Sequence, residues 1–464
     1  MTLKEELVRL LGADAVADDA ETLSTHSRDK WFASRSPEAV VFARTTEEVS
    51  RLLAFANAHG IPVTPRGGGV GYVGGCVPAR GGIALSLARM NRIKEINPAD
   101  GVAVVEPGVI TGDLQAAARE LGMYYPPDPA SLKECTLGGN IATNAGGPRC
   151  LKYGVTRSYL LGLEVVLANG DVLRTGGRTH KNKTGFDLVG LFTGSEGLLG
   201  VVTEATLRLI PLPPARATIS ASFATFAEAA NAVQRVLGAG YLPAALEIAD
   251  AFTLQSVRGY LGTAMVPEGE GHLLIDLDGQ AESVQGETRA LAELVRGLGA
   301  VHLETAFGEA DCEALWELRR QFSEALKATG LTKLNEDIVV PRGRLVDLAA
   351  FAAGLREKYG YPVACFGHAG DGNIHTNLMA ADYDRPEVKE RVGRALDELF
   401  AQVLEWGGAI TGEHGIGMAK QRWWEQASSP VSRGVHVALK QALDPKGILN
   451  PGKFVSERKE NDPV

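Results

Sequence analysis

Residues 65–75 read Pro65-Arg66-Gly67-Gly68-Gly69-Val70-Gly71-Tyr72-Val73-Gly74-Gly75 and contain a literal G-x-G-x-x-G at Gly69, Gly71 and Gly74. In a doubly wound dinucleotide-binding fold this pattern follows a strand and opens a helix. Here a short strand over 61–64 runs into the glycines, but Gly75, Pro78, Gly81 and Gly82 follow, and then the strand-like 83–87. The unit is strand, loop, strand, and the context refuses a doubly wound fold. A loop this poor in side chains exposes successive backbone N–H groups and lets a phosphate come close, with Arg66 as counter-charge. The competing reading is a flexible surface loop, which the flanking strands disfavour.

Upstream, Thr45 and Glu48 fit a capping box, and Val49, Leu52, Leu53, Phe55 and Ala56 follow at helical spacing until 57–60 closes the helix. Downstream, 102–105 reads as a strand and 113–121 as a helix. A second glycine cluster follows Pro126-Pro127-Asp128-Pro129 and runs from Thr136 through Gly138, Gly139, Asn140, Thr143 and Asn144 to Gly146 and Gly147. Small residues with a few polar edges suit backbone contact with a large flat ligand. Segments 163–167 and 172–175 around Asn169-Gly170 read as a hairpin. A third cluster, Gly194-Ser195-Glu196-Gly197-Leu198-Leu199-Gly200-Val201-Val202, precedes a strand over 207–210, and Pro211-Leu212-Pro213-Pro214 ends the region.

We therefore expect one domain over 1–214, a second over 215–411, and a C-terminal segment over 412–464. In the second, helices over 226–237, 284–298, 313–329 and 345–359 alternate with strands over 244–248, 272–277 and 362–366, an α+β arrangement on an antiparallel sheet. An amphipathic helix over 388–403 ends at Gly407-Gly408. Asn450-Pro451-Gly452-Lys453 reads as a turn, and the last ten residues as a polar, loose end.

The chemistry concentrates in His368-Ala369-Gly370-Asp371-Gly372-Asn373-Ile374-His375-Thr376-Asn377. Asp-Gly favours a two-residue hairpin turn. Such a turn pairs 370 with 373, 369 with 374 and 368 with 375, making the two histidines a directly opposed pair with Cβ atoms roughly 5 Å apart. Two imidazoles at that separation can share a cation. In Gly412-Glu413-His414-Gly415, Glu413 could add an oxygen, giving a set suited to zinc or a similar divalent ion with positions open for substrate. His414 would remain as a base. Ordinary strand histidines around a plain turn are the alternative.

The 464 residues, 45 % hydrophobic, leave room for two or three domains with real cores. A net charge of −9 without long runs of Lys or Arg argues against nucleic-acid or acidic-membrane partners. The start, MTLKEELVRLL, has acids where a leader has bases, and no apolar stretch approaches bilayer length, so a soluble cytoplasmic chain is expected. Cys76, Cys135, Cys150, Cys312 and Cys365 form no Cys-x-x-Cys pair, against an iron–sulfur cluster or a disulfide set. If electrons move, an organic cofactor carries them. Glycine is over-represented, 55 of 464 residues, about 12 % against a usual level near 7 %.

Taken in order, PRGGGVGYVGG, TLGGNIATNAGG, GHAGDGNIHTN and GEHGIGMAK resemble the FAD-linked oxidases that share a fold with vanillyl-alcohol oxidase. The branch they resemble contains D-lactate dehydrogenase, D-2-hydroxyglutarate dehydrogenase and the flavin-binding component of glycolate oxidase, and the likeness covers nearly the whole chain. It implies a two-subdomain α+β FAD-binding domain up to Pro214, an α+β cap over the flavin, and a tail that packs back on the FAD site. Carried over, Arg66, Gly67, Gly68, Gly69, Val70, Gly71, Gly74 and Gly75 would hold the pyrophosphate. Asp128, Pro129, Thr136, Gly138, Asn140, Thr143, Gly146 and Gly147 would line the cofactor, with Gly197 and Val202 near the adenine and Asn450 closing from the tail. Members with covalent flavin use a histidine in the first loop. Residues 66–75 contain none, so FAD is expected to be non-covalent.

The resemblance also implies a metal, Zn or Mn, on His368, His375 and Glu413. It makes His414 the base, Asn377 a substrate contact, and Arg319 with Ser323, four apart on one helix face, the grip on the substrate carboxylate. Lys333 stands close to the family's lysine but at a slightly different spacing. The implied reaction oxidises a small D-2-hydroxy acid of the glycolate, D-lactate or D-2-hydroxyglutarate type to the 2-oxo acid, with hydride passing to flavin. The electrons then go to an external acceptor or a partner redox subunit, and a homodimer is left open. Two other readings are a flavin-binding electron-transfer or accessory subunit, and a metal-dependent hydrolase, which would lack flavin colour.

Overall fold

In the computed structural model the described residues are 1–263 and 266–455. They form two compact units, one of Met1–Gly146, Val155–Leu212 and Glu413–Val464, the other of Gly147–Gly154 and Pro213–Gly412. The expectation for the last ten residues falls, from 456 on, outside the described residues.

The first unit holds two larger sheets. In a four-stranded sheet Val16–Ala17, Ala39–Phe42, Ile83–Ser86 and Val63–Arg66 lie in that order, the last three parallel. The parallel neighbours Val63–Arg66 and Ile83–Ser86 are joined through the glycine loop without a helix, as its glycines and Pro78 require. Helix Thr46–His59 starts where the Thr45 side chain accepts from the Glu48 amide, and ends at Gly60 with φ +67°. Glu48 completes its part by accepting from the amide of Arg44, one residue earlier than a capping box requires.

Val49, Leu52, Leu53 and Ala56 on that helix bury against Val41, Val63, Ile83 and Leu85 of the sheet. The five-stranded sheet is antiparallel, in the order Ile93–Asn97, Val102–Val105, Val201–Arg208, Leu160–Val166, Val172–Gly176. The tail joins the first core through Ile448 and Leu449. The Val63 amide donates to Ile448 O at 2.8 Å, and the Asn450 amide to Val63 O at 2.8 Å.

The second unit is built on a seven-stranded sheet, antiparallel throughout. Its order is His302–Phe307, Ala215–Phe223, Gly271–Gly279, Ala245–Ala249, Val363–His368, Asn373–Ala380, Thr332–Val339.

Three local expectations change. The histidine hairpin pairs His368 with Asn373 and Phe366 with His375. Residues 369–372 thus form a four-residue connection, and only Gly372, at φ +85°, has the left-handed backbone that a two-residue turn would ask of Asp371 as well. The histidines are diagonal neighbours, not directly opposed. A shift of two residues in register keeps both on one face, because side chains alternate with period two.

The helix expected over 313–329 is two helices, Glu309–Arg320 and Phe322–Ala328, meeting at Gln321. Arg319 and Ser323 therefore stand on successive helices. Finally, the second glycine cluster contains a short helix, Leu137–Thr143, which the Thr136 side chain caps by accepting from Gly139 N.

Candidate active site

In the first unit the glycine loop leaves its strand at Arg66, which is 9 % exposed and donates through Nη1 to Arg28 O at 2.7 Å and to Cys76 Sγ at 3.1 Å. The expected phosphate counter-charge is thus partly committed to holding its own loop. A Cβ on Gly67 would stand 2.5 Å from Thr136 Oγ1, and one on Gly68 2.5 Å from Glu134 O. Only glycine lets this loop lie against the capped start of Leu137–Thr143.

From the tail, Asn450 donates through Nδ2 to Gly75 O at 2.9 Å and Glu196 O at 2.7 Å. Its Oδ1 is buried without a hydrogen-bond partner among the described residues. Glu196 itself has φ +50° and accepts from the amides of Ile416 at 2.7 Å and Gly417 at 2.8 Å. Burial nevertheless pushes its carboxyl upward. An acceptor left over beside a side-chain-free loop is a donor set that fits a polar, phosphate-bearing ligand such as FAD. Thr143 donates to Gly139 O and Asn140 to Thr111 Oγ1, so both polar groups serve the helix and its surroundings.

In the second unit the strand registers gather the polar residues. Glu247 opposes His368, Phe366 opposes His375, Asp337 opposes His375 from the other side, and Asn335 opposes Asn377. Residues opposed in register share a face, and so do those two apart. One face therefore carries Glu247, Phe366, His368, His375, Asn377, Asp337 and Lys333. The rings of His368 and His375 lie 5.6 Å apart, centroid to centroid.

Glu247, 1 % exposed, takes His368 Nδ1 on Oε1 at 2.6 Å and Arg319 Nε on Oε2 at 2.6 Å. Burial alone would raise this carboxyl. The charges and hydrogen bonds of His368 and Arg319 outweigh it and hold Glu247 down to about 2. The Arg319 guanidinium lies 5.1 Å from the centroid of the Phe366 ring and the Lys333 ammonium 5.7 Å from it. Lys333 donates to Ser323 Oγ at 2.7 Å, so the helix break at Gln321 still leaves Ser323 within the same cationic group.

Asn377 spends Nδ2 on Ala364 O and His375 O, and its buried Oδ1 has no hydrogen-bond partner among the described residues. Asp337, fully buried, accepts from Asn373 Nδ2 at 2.7 Å, Thr411 Oγ1 at 2.9 Å and the Gly412 amide at 3.0 Å. It ties the hairpin to the chain that leads into Glu413. His368, His375 and Glu413 make up a group able to hold a metal ion. His414 lies with its ring 5.4 Å from that of Tyr72.

Sequence reasoning passed over Glu247 and Asp337. The available signal was a carboxylate in the middle of an apolar strand, as in Ala245-Leu246-Glu247-Ile248-Ala249, since such groups are rarely buried unless paired.

The fold and both polar sites define a flavin-dependent oxidoreductase. Residues 37–176 match an FAD binding domain and residues 212–454 the C-terminal domain of FAD linked oxidases, and the chain belongs to that family. It is 40 % identical to glycolate oxidase subunit GlcD of Bacillus subtilis (strain 168) over 98 % of this chain and 97 % of that protein. To D-lactate dehydrogenase of Anaerostipes hadrus it is 34 % identical, over 96 % of this chain and 94 % of that protein. Among solved structures, p-cresol methylhydroxylase superposes with a TM-score of 0.81 at 23 % identity, covering 98 % of this chain and 96 % of that one. The fold is thus of the vanillyl-alcohol oxidase type, FAD is the cofactor, and the chain is an FAD-dependent hydroxy-acid oxidoreductase. No helix among the described residues is long and apolar enough to cross a membrane.

Proposed function

We propose that the chain oxidises a small D-2-hydroxy acid to its 2-oxo acid, with a divalent metal on His368, His375 and Glu413 and with His414 as base. The observation that carries this reading is the chemistry of one sheet face, where two imidazoles, a guanidinium and an ammonium converge beside an unsatisfied amide oxygen. The metal fits its donors, since two imidazoles and one carboxylate are a zinc-type set that leaves room for substrate.

FAD supplies the hydride acceptor when bound. The cation supplies Lewis acidity that lowers the pKa of an α-hydroxyl. The chain's own residues do the rest. Arg319, steadied by Glu247, presents its remaining N–H groups to the substrate carboxylate in a planar fork that Lys could not reproduce. Lys333 and Ser323 stand ready for a second oxygen of the same acid. Asn377 Oδ1 can accept from the substrate hydroxyl, and His414 takes that proton as the Cα–H bond gives up its electron pair.

The pairing of Arg319 with Lys333 favours acids with a strong demand for cationic contacts, dicarboxylates included. The similarity to the B. subtilis glycolate oxidase subunit and the A. hadrus D-lactate dehydrogenase supports a substrate among short 2-hydroxy acids.

Replacing His414 by Ala tests the assignment of the base. Flavin stays bound, and its anaerobic reduction by substrate slows by ~10²–10⁴-fold, the usual worth of a positioned base. Reduction at the wild-type rate would remove His414 from this role.

A further inference from the structure

Glu247 occupies the middle of strand Ala245–Ala249, directly opposite His368 in the antiparallel register. That register, and not a flexible side chain, brings its carboxylate to the imidazole, with Oε1 at 2.6 Å from Nδ1. Oε2 is equally committed, at 2.6 Å from Nε of Arg319, whose side chain is 12 % exposed. An ionised carboxylate only accepts hydrogen bonds, so the hydrogen on the His368 ring must sit on Nδ1. A neutral imidazole has one N–H, and Nε2 is then left as the lone-pair nitrogen, the form in which histidine binds a metal.

We propose that Glu247 is a positioning residue with two charges in its care: it fixes His368 as an Nε2 donor to the cation and fixes Arg319 as the clamp for the substrate carboxylate. The metal ligand and the carboxylate clamp are thereby mechanically joined through one buried side chain. This rests on the reading of His368 as a metal ligand. Partners of this kind behind ligating histidines typically contribute 10–100-fold to metal affinity, roughly. The joint also links the two sites in one direction that can be read. Loss of the carboxylate weakens metal retention and raises KM together, while FAD, which the first unit holds through other residues, is retained.

The test uses the flavin-loaded full chain and Zn²⁺ as the probe. Wild type and Glu247→Gln are titrated with chelator-buffered Zn²⁺, and zinc and flavin per chain are measured by atomic emission and absorbance. Gln keeps the volume but turns one acceptor into an N–H donor facing His368 or Arg319, both of which need acceptors. The expected result is a Kd for Zn²⁺ weakened by about 10–100-fold at unchanged flavin content and thermal midpoint. Should Glu247→Gln yield no folded flavoprotein, Glu247→Asp gives the same reading. It keeps the charge toward Arg319 and withdraws the carboxylate from Nδ1 by one methylene. A folded variant that binds zinc as tightly as wild type overturns the positioning role alone. A wild type that takes up no zinc overturns both this role and the metal reading on which it rests.

Discussion

Lys333 is the residue whose charge state lies nearest to neutral pH. Burial, helped by the charge of Lys327, pulls its ammonium down to about 8. Its Nζ donates to Ser323 Oγ and shares the ring of Phe366 with Arg319. A lowered lysine pKa means that the free site gives up its proton as pH rises through about 8, and a carboxylate substrate then meets one cation fewer. We therefore expect kcat/KM to fall above that pH through KM while kcat holds. Lys333→Met should remove the alkaline limb and raise KM at neutral pH by about 10–100-fold, the range of a charge-assisted hydrogen bond. A steady-state pH profile decides it, and an alkaline limb that survives in the variant contradicts it. At this scale the sequence exposed residues in motifs, such as His368 and His375, and hid those whose importance comes from a neighbour. Glu247 gains its meaning only from the register that sets it opposite His368.

At the scale of elements, periodicity and turn residues located most strands and helices, including Thr46–His59 from its Thr45 cap and Leu345–Tyr359. What they missed was set by tertiary pairing. Asp371-Gly372 suggested a two-residue turn, but the backbone closes over four residues, and that choice depends on where the Val363–His368 and Asn373–Ala380 strands find their other neighbours. Likewise Ala215–Phe223 carries alternating small and polar residues that read weakly alone and are buried only because strands flank it on both sides.

The sheet makes its own prediction through His272, which meets Ser220 Oγ at 2.9 Å and is driven by burial down to about 4. The unfolded chain takes up this proton near pH 6.5 and the folded chain only near 4. The folded state therefore loses stability as pH falls between those values, on the order of 3 kcal/mol in all. In thermal melts of wild type and His272→Gln, the lead of wild type at neutral pH should shrink steadily from pH 6.5 to pH 4. Parallel pH curves for the two proteins would contradict this.

For the molecule as a whole, glycine-rich loops on strands made the FAD-binding fold legible, and ordered motifs made the family legible. The particular acid was not legible, because a pocket's size depends on side chains brought together from distant segments, as Arg319, Lys333 and Asn377 are here. The central claim is that one polar face, completed by a cation, lets the chain pass a hydride from a 2-hydroxy acid to its flavin. The most direct test is anaerobic stopped-flow reduction of the bound flavin by D and L forms of short 2-hydroxy acids, with zinc-loaded and chelator-treated protein side by side. The account predicts that a D acid bleaches the flavin of the loaded protein, and that the chelated protein keeps its flavin but bleaches slower by ~10²-fold or more. Flavin that no 2-hydroxy acid reduces, or that is reduced equally fast with and without metal, would contradict it.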